Sequence, residues 1–122
     1  MKVLNVISSA YRAVSEEQDD TIVWLSYALL NAGAGLAVLL SGTAVFYVLP
    51  SQAAAPLAIG GRTQKNAPDV HGEVARLAGK TNVYVVQEDL EARGIAADGR
   101  FQLVSRAALP ALLLSHDQVW HW

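Results

Sequence analysis

Cysteine is absent from all 122 residues. The chain therefore forms no disulfide and supplies no thiolate, either as a nucleophile or as a metal ligand. Charge is scarce as well: Asp, Glu, Lys and Arg make up 16% of the residues and hydrophobic ones 52%. A domain of this length with so few charges leaves much surface to be covered, by a membrane or by another subunit. The net charge of -2 creates no positive field of the kind that holds phosphate backbones, so nucleic acid is not an expected partner. The three histidines are His71, His116 and His121, and no two stand at the spacing of a helical metal pair. No metal or other cofactor is expected.

No charged side chain occurs from Thr21 to Gly61, which raises the question of a membrane span. A span needs about 20 uninterrupted apolar residues. Here Asn31, Gly33, Gly35 and Ser41-Gly42 break the run, and the upstream flank carries Glu16, Glu17, Asp19 and Asp20 where basic residues would mark a cytoplasmic loop. The stretch reads as the interior of a folded domain. The opening apolar run is too short for a signal peptide and is followed by acids, so a cytoplasmic protein without membrane contact is expected. Length points to one domain over residues 1–122.

Lys2 to Ser8 (KVLNVIS) has the β-branched, continuously apolar pattern of a strand buried on both faces. Ser15-Glu16-Glu17-Gln18 has the form of a capping box, and Ile22, Leu25, Leu29 and Ala32 continue a helical face until the glycines of Asn31-Ala-Gly-Ala-Gly35. Leu36 to Leu40 is a second strand and Thr43 to Leu49 a short helix closed by Pro50. Ser51 to Ala67 is the least regular segment, with room for a short helix. Asn66 or Asp69 caps a helix whose apolar face is Val70, Val74 and Leu77 and which Gly79 ends. Asn82 to Val86 (NVYVV) is a third strand, Glu88 to Arg93 a short helix, and Phe101 to Val104 a fourth strand after the Asp98-Gly99 turn. That Asp-Gly pair leaves a hairpin as an alternative. Arg106 to Ser115 is helical with Pro110 near its start, and Gln118 to Trp122 is a last strand. Strands alternating with helices predict a five-stranded parallel sheet with helices on both faces.

The blocks AYRA, EEQDDTIVWL, AGAGLAVLLSG, NVYVV with EDLEARGI, and RAALPALLLSHDQVWHW resemble, in order and spacing, the DsrE/DsrF-like proteins, the family of the TusD-type sulfur-relay subunits. The resemblance covers nearly the whole chain. It implies a flavodoxin-like three-layer sandwich with strand order 2-1-3-4-5, assembled as a homotrimer or hexamer, with DsrE-like or sulfur-transfer proteins as partners. In the sulfur-transferring members a cysteine at the end of the third strand carries persulfide. Counting back from Arg93-Gly94, that position is Val86 or Gln87, and neither has a nucleophilic sulfur. The resemblance thus implies a non-catalytic binding or assembly subunit, linked to intracellular sulfur metabolism, with no catalytic residue of the family's kind.

With order 2-1-3-4-5, the crevice at the carboxyl ends of strands one and three is the expected ligand site. Its candidate residues are Ser8, Ser9, Tyr11 and Arg12 after the first strand and Gln87, Glu88 and Asp89 after the third. Arg12 facing Glu88 or Asp89 is either a ligand clamp or an ion pair capping the short helix. A small-ligand-binding protein or enzyme using this crevice is the alternative function. Candidate interface residues are Trp120 and Trp122, which share one face of the last strand, and Phe46, Tyr47 and Leu49 in the apolar short helix. His71 is expected on the solvated side of its helix.

Overall fold

The structure, a computed structural model, describes residues 1–10, 21–50, 58–63 and 69–122. Strand β1 (Lys2–Ile7) leads to helix α1 (Thr21–Asn31), strand β2 (Gly35–Leu40) and a 3-10 segment (Gly42–Val48). A small hairpin of β3 (Ala58–Ile59) and β4 (Arg62–Thr63) precedes α2 (Val70–Ala78), β5 (Val83–Val86) and α3 (Gln87–Ala92). The chain closes with β6 (Gln102–Val104), a 3-10 turn (Arg106–Ala108), α4 (Leu109–Leu114) and β7 (Gln118–His121). The capping box at Ser15 and most of Ser51 to Ala67 lie outside the described residues. Within that second segment, residues 58–63 form the hairpin, with Gly60 and Gly61 at positive φ values of 58° and 77°, which suits a two-residue hairpin turn; the residues before it, where a short helix is expected, lie outside the described residues.

The main sheet has five strands in the order β6-β5-β2-β1-β7, and all of its pairings are parallel. The α/β class expected from the sequence is the one observed. The order corrects the expected 2-1-3-4-5, since β2 lies between β1 and β5, and β7 pairs with the far side of β1. The burial of β2 gives the reason: Leu36 through Leu40 are all buried. An edge position would leave one flank of this wholly apolar strand unpaired, whereas β6 and β7, short and exposed, suit the edges.

Strand order also decides which face each helix covers. From β1 through β2 and β5 to β6 the chain steps in one direction, so right-handed crossovers lay the intervening helices on one face. The return from β6 across the sheet to β7 reverses direction and brings α4 to the other. Two apolar clusters result. On the first face Val3, Ile7, Val38, Leu40, Val83 and Val85 pack with Val23 of α1, Val74 and Leu77 of α2 and Leu90 of α3. On the second, Leu4, Val6, Ala37, Leu39 and Val86 receive Leu109 and Leu112 of α4. Burial of each Val or Leu side chain contributes about 1.5–3 kcal/mol.

Local signals behave as their chemistry requires. Asp69 caps α2, its carboxylate accepting from Gly72 N–H at 3.0 Å. Pro110 lies in the first turn of α4, where its missing N–H is harmless. The Asp98-Gly99 pair makes no hairpin, because β5 and β6 run parallel. Instead Asp98 folds back on Arg100, accepting its backbone N–H at 2.9 Å and its guanidinium at 2.6 Å. Among the described residues no helix is long and apolar enough to cross a membrane.

Candidate functional site at the carboxyl edge

With β2 between β1 and β5, the sequence-expected crevice between strands one and three does not exist as a direct neighbour contact. The point where successive crossovers part to opposite faces lies between β5, followed by α3 on the first face, and β6, followed by α4 on the second. Glu88 and Asp89 stand on one side of it. Their basic partner is Arg106, from the turn after β6. Arg12 and Tyr11 lie outside the described residues.

Arg106 makes both contacts of the pairing. Its backbone N–H donates to Glu88 Oε2 at 2.7 Å and its guanidinium Nη2 to Asp89 Oδ1 at 2.8 Å. The second carboxylate oxygen of Asp89 accepts the Gly42 N–H at 2.8 Å, and Arg93 Nη1 donates to the Asp89 carbonyl at 3.1 Å. Burial works against the charge of Asp89, but the Gly42 N–H, Arg106 and Arg93 outweigh it and hold the carboxyl below its ordinary 3.8. Gly42 can approach because it has no side chain. Its φ is +56°, and a Cβ there would stand 2.8 Å from the Ser8 carbonyl oxygen, a position open only to glycine at low cost.

The same edge continues toward β7. Ala10 N–H donates to Thr43 Oγ1 at 2.9 Å, and Ser8 donates to the Trp122 carbonyl through both its N–H at 3.2 Å and its hydroxyl at 2.9 Å. All five strand ends are thereby linked, from Trp122 through Ser8, Thr43 and Gly42 to Asp89 and Arg106. Ser9 is half-buried and Gln87 exposed, with Gln87 Nε2 donating to Glu91 Oε1 at 3.1 Å. Arg106 was missed in the sequence because the assumed order put the crevice between strands one and three, not between β5 and β6. An arginine two residues after the end of β6, opening the crossover that changes faces, is the signal that the true order exposes.

At the end of β5, Val86 is 0% exposed, beneath α4. Of the interface candidates, Tyr47 is corrected by its burial. At 1% exposure it belongs to the core, and His71, half-buried instead of solvated, donates from Nδ1 to its carbonyl at 3.1 Å. Phe46 and Leu49 are half-buried, with the Arg93 guanidinium 5.9 Å from the Phe46 ring centre. Trp120 packs on the first-face core. Trp122 is 40% exposed while its indole N–H bonds Asn5 Oδ1. Among the described residues no group of His, Asp and Glu is arranged to hold a metal ion.

No family model matches the chain, and no curated protein matches it. A solved structure does: the ychN protein from E. coli aligns over 100% of both chains with a TM-score of 0.71 and 18% sequence identity. The chain therefore has the small parallel α/β sandwich fold of that protein.

Proposed function

We propose that this chain is a DsrE-like, single-domain cytoplasmic protein that serves as a non-catalytic binding or assembly subunit, a homotrimer or hexamer that works beside sulfur-transfer proteins. The fold shared with the ychN protein and the block order of the sequence support the family reading. The observation that carries the non-catalytic part is at the end of β5. Where the resemblance sets the persulfide cysteine, the chain has Val86, fully buried, followed by Gln87. Sulfur relay needs an accessible thiolate, and the sequence has no cysteine at all.

Assembly is supported by what α4 and β7 leave uncovered. Leu114 is 86% exposed, Val119 43% and Leu113 37%, and the six residues of α4 include no charged or polar side chain. A helix apolar all round is normally buried, and apolar surface of this kind marks contact with another protein.

The test is affinity capture of the tagged chain from its own cells, read by mass spectrometry. Stoichiometric recovery of a cysteine-bearing sulfur-transfer protein is the expected result. Repeated recovery of the chain alone overturns the partnership. Incubation with a protein persulfide donor should add no mass to this chain.

A further inference from the structure

Helix α4 is too short to cover its face of the sheet. Its six residues make about 9 Å of helix, whereas the six-residue strands β1 and β2 beneath it run for roughly 20 Å. The helix sits on Leu4, Val6, Ala37, Leu39 and Val86, and the amino-terminal end of that face stays open. A pocket of ≈ 290 Å³ lies there, between the first residues of β1 and β2, the start of β5 and the residues that end α4. Its apolar floor includes Leu36 and Ala37, and its polar lining is Lys2, Asn82, Tyr84, Ser115 and His116.

We propose that this pocket binds a small hydroxycarboxylate. Three groups of different chemistry converge on it, and none takes part in the carboxyl-edge network, which lies at the other end of the same strands. The first is Lys2, the only permanently charged residue of the lining. Among the described residues its ammonium forms no ion pair, and the lining contains no carboxylate. Asp117 turns its own carboxylate to the Lys2 backbone N–H at 2.6 Å.

The second is Tyr84. Its hydroxyl oxygen accepts from Asn82 Nδ2 at 3.4 Å, and Asn82 Oδ1 accepts from Gln102 Nε2 at 2.7 Å. This chain fixes the phenol and leaves its proton to donate into the pocket. A cation beside a neutral donor suits one carboxylate. A phosphate dianion would bring two charges to one lysine.

The third is His116. Its Nδ1 lies 2.9 Å from the Leu112 carbonyl oxygen and 3.1 Å from Ser115 Oγ, whose own proton goes to that carbonyl at 2.6 Å; both oxygens therefore accept, and Nδ1 carries the proton. In the neutral ring Nε2 is then a hydrogen-bond acceptor. An acceptor opposite a carboxylate clamp calls for a ligand hydroxyl. The volume stands at the low end for small-molecule sites and admits a compact metabolite.

The test is a titration of the 15N-labelled full chain, at constant ionic strength, with lactate, propionate and inorganic phosphate, read from backbone amide shifts. Lactate is expected to give saturable shifts centred on Lys2, Gly35, Tyr84 and His116. Propionate, lacking the hydroxyl, should bind more weakly. Lys2→Gln should weaken lactate binding by about tenfold or more, the usual effect of losing a charged hydrogen-bond partner. His116→Phe should remove the preference for lactate over propionate while propionate binding persists. Lys2 is exposed and His116 half-buried, and unchanged amide positions elsewhere verify that the variants fold. Absence of saturable shifts at millimolar lactate, an unchanged response in Lys2→Gln, stronger binding of phosphate, or shifts centred on Arg106 would each overturn the proposal.

Discussion

Arg106 and Asp89 meet at 2.8 Å across the junction where the crossovers after β5 and β6 leave on opposite faces. Asp89 is the less exposed partner, 14% against 59% for the arginine side chain, and it also receives the Gly42 N–H. The two residues should therefore respond unequally to substitution. Asp89→Ala leaves that N–H without its acceptor and should cost about 1–3 kcal/mol. Arg106→Ala removes an exposed ion pair and should cost at most about 1 kcal/mol. Urea midpoints for both variants test the ranking, and a larger loss for Arg106→Ala would contradict it.

The same carboxylates set the acid limb of stability. Asp89 is held below its ordinary 3.8, burial being outweighed by the Gly42 N–H and the two arginines. Asp98 is lowered to about 2 by the side chain and then the backbone N–H of Arg100. A carboxyl depressed on folding stabilises the protein fully above its unfolded value, and that contribution fades as pH falls through the folded one. The loss from these groups should thus run from about pH 4 downward, reaching about pH 2 for Asp98. Asp98 is exposed at the surface, so its share should shrink in high salt, whereas that of Asp89 should persist. Chemical denaturation across this range, repeated with Asp89→Asn, should show a shallower acid limb in the variant.

Asn5 is a polar side chain in the middle of a buried strand, 0% exposed. Its amide nitrogen donates to Ser26 Oγ at 2.7 Å and its oxygen accepts the Trp122 indole N–H, so one residue ties β1 to α1 and to the residue after β7. Asn5→Leu leaves the indole N–H without its acceptor, while the Ser26 hydroxyl keeps its own donation to the Ile22 carbonyl, and should lower stability by about 1–3 kcal/mol. Trp122 emission should shift to the red in the folded variant, measured with Trp24 and Trp120 replaced by Phe. An unshifted spectrum would mean that the contact does not hold the indole in place.

Introducing cysteine at Val86 and at Gln87 tests which of the two positions at this strand end can expose a thiol. Val86 is wholly buried and Gln87 exposed. A thiol from Val86→Cys should resist a water-soluble disulfide reagent until the protein unfolds, whereas one from Gln87→Cys should react in the native state. Rapid native labelling of the first would show that α4 lifts away from the sheet end.

Much of this architecture was legible in the residues because alternation and glycine act locally. KVLNVI, LAVLL and NVYVV have no reading as exposed strands, and Asp69 with Val70, Val74 and Leu77 specifies both the start and the buried face of α2. Strand order was not legible by the same means. Nothing local tells whether β2 pairs with one strand or two; its total burial does so only once all five strands are compared. That error carried into the site. Glu88 and Asp89 stand at the end of β5, and among the described residues their partners come from Arg106, 17 residues from Asp89, and from a backbone N–H of Gly42. A backbone donor leaves no mark in a sequence beyond the glycine that permits its approach.

The mass of the native particle in detergent-free buffer, by light scattering, tests the assembly claim most directly. The account predicts three or six times the 13.0 kDa chain mass, falling to a single chain when Leu113 and Leu114 are both replaced by Glu. A monodisperse monomer of the unaltered protein would contradict it, since the apolar surface of α4 would then stand in water without a partner.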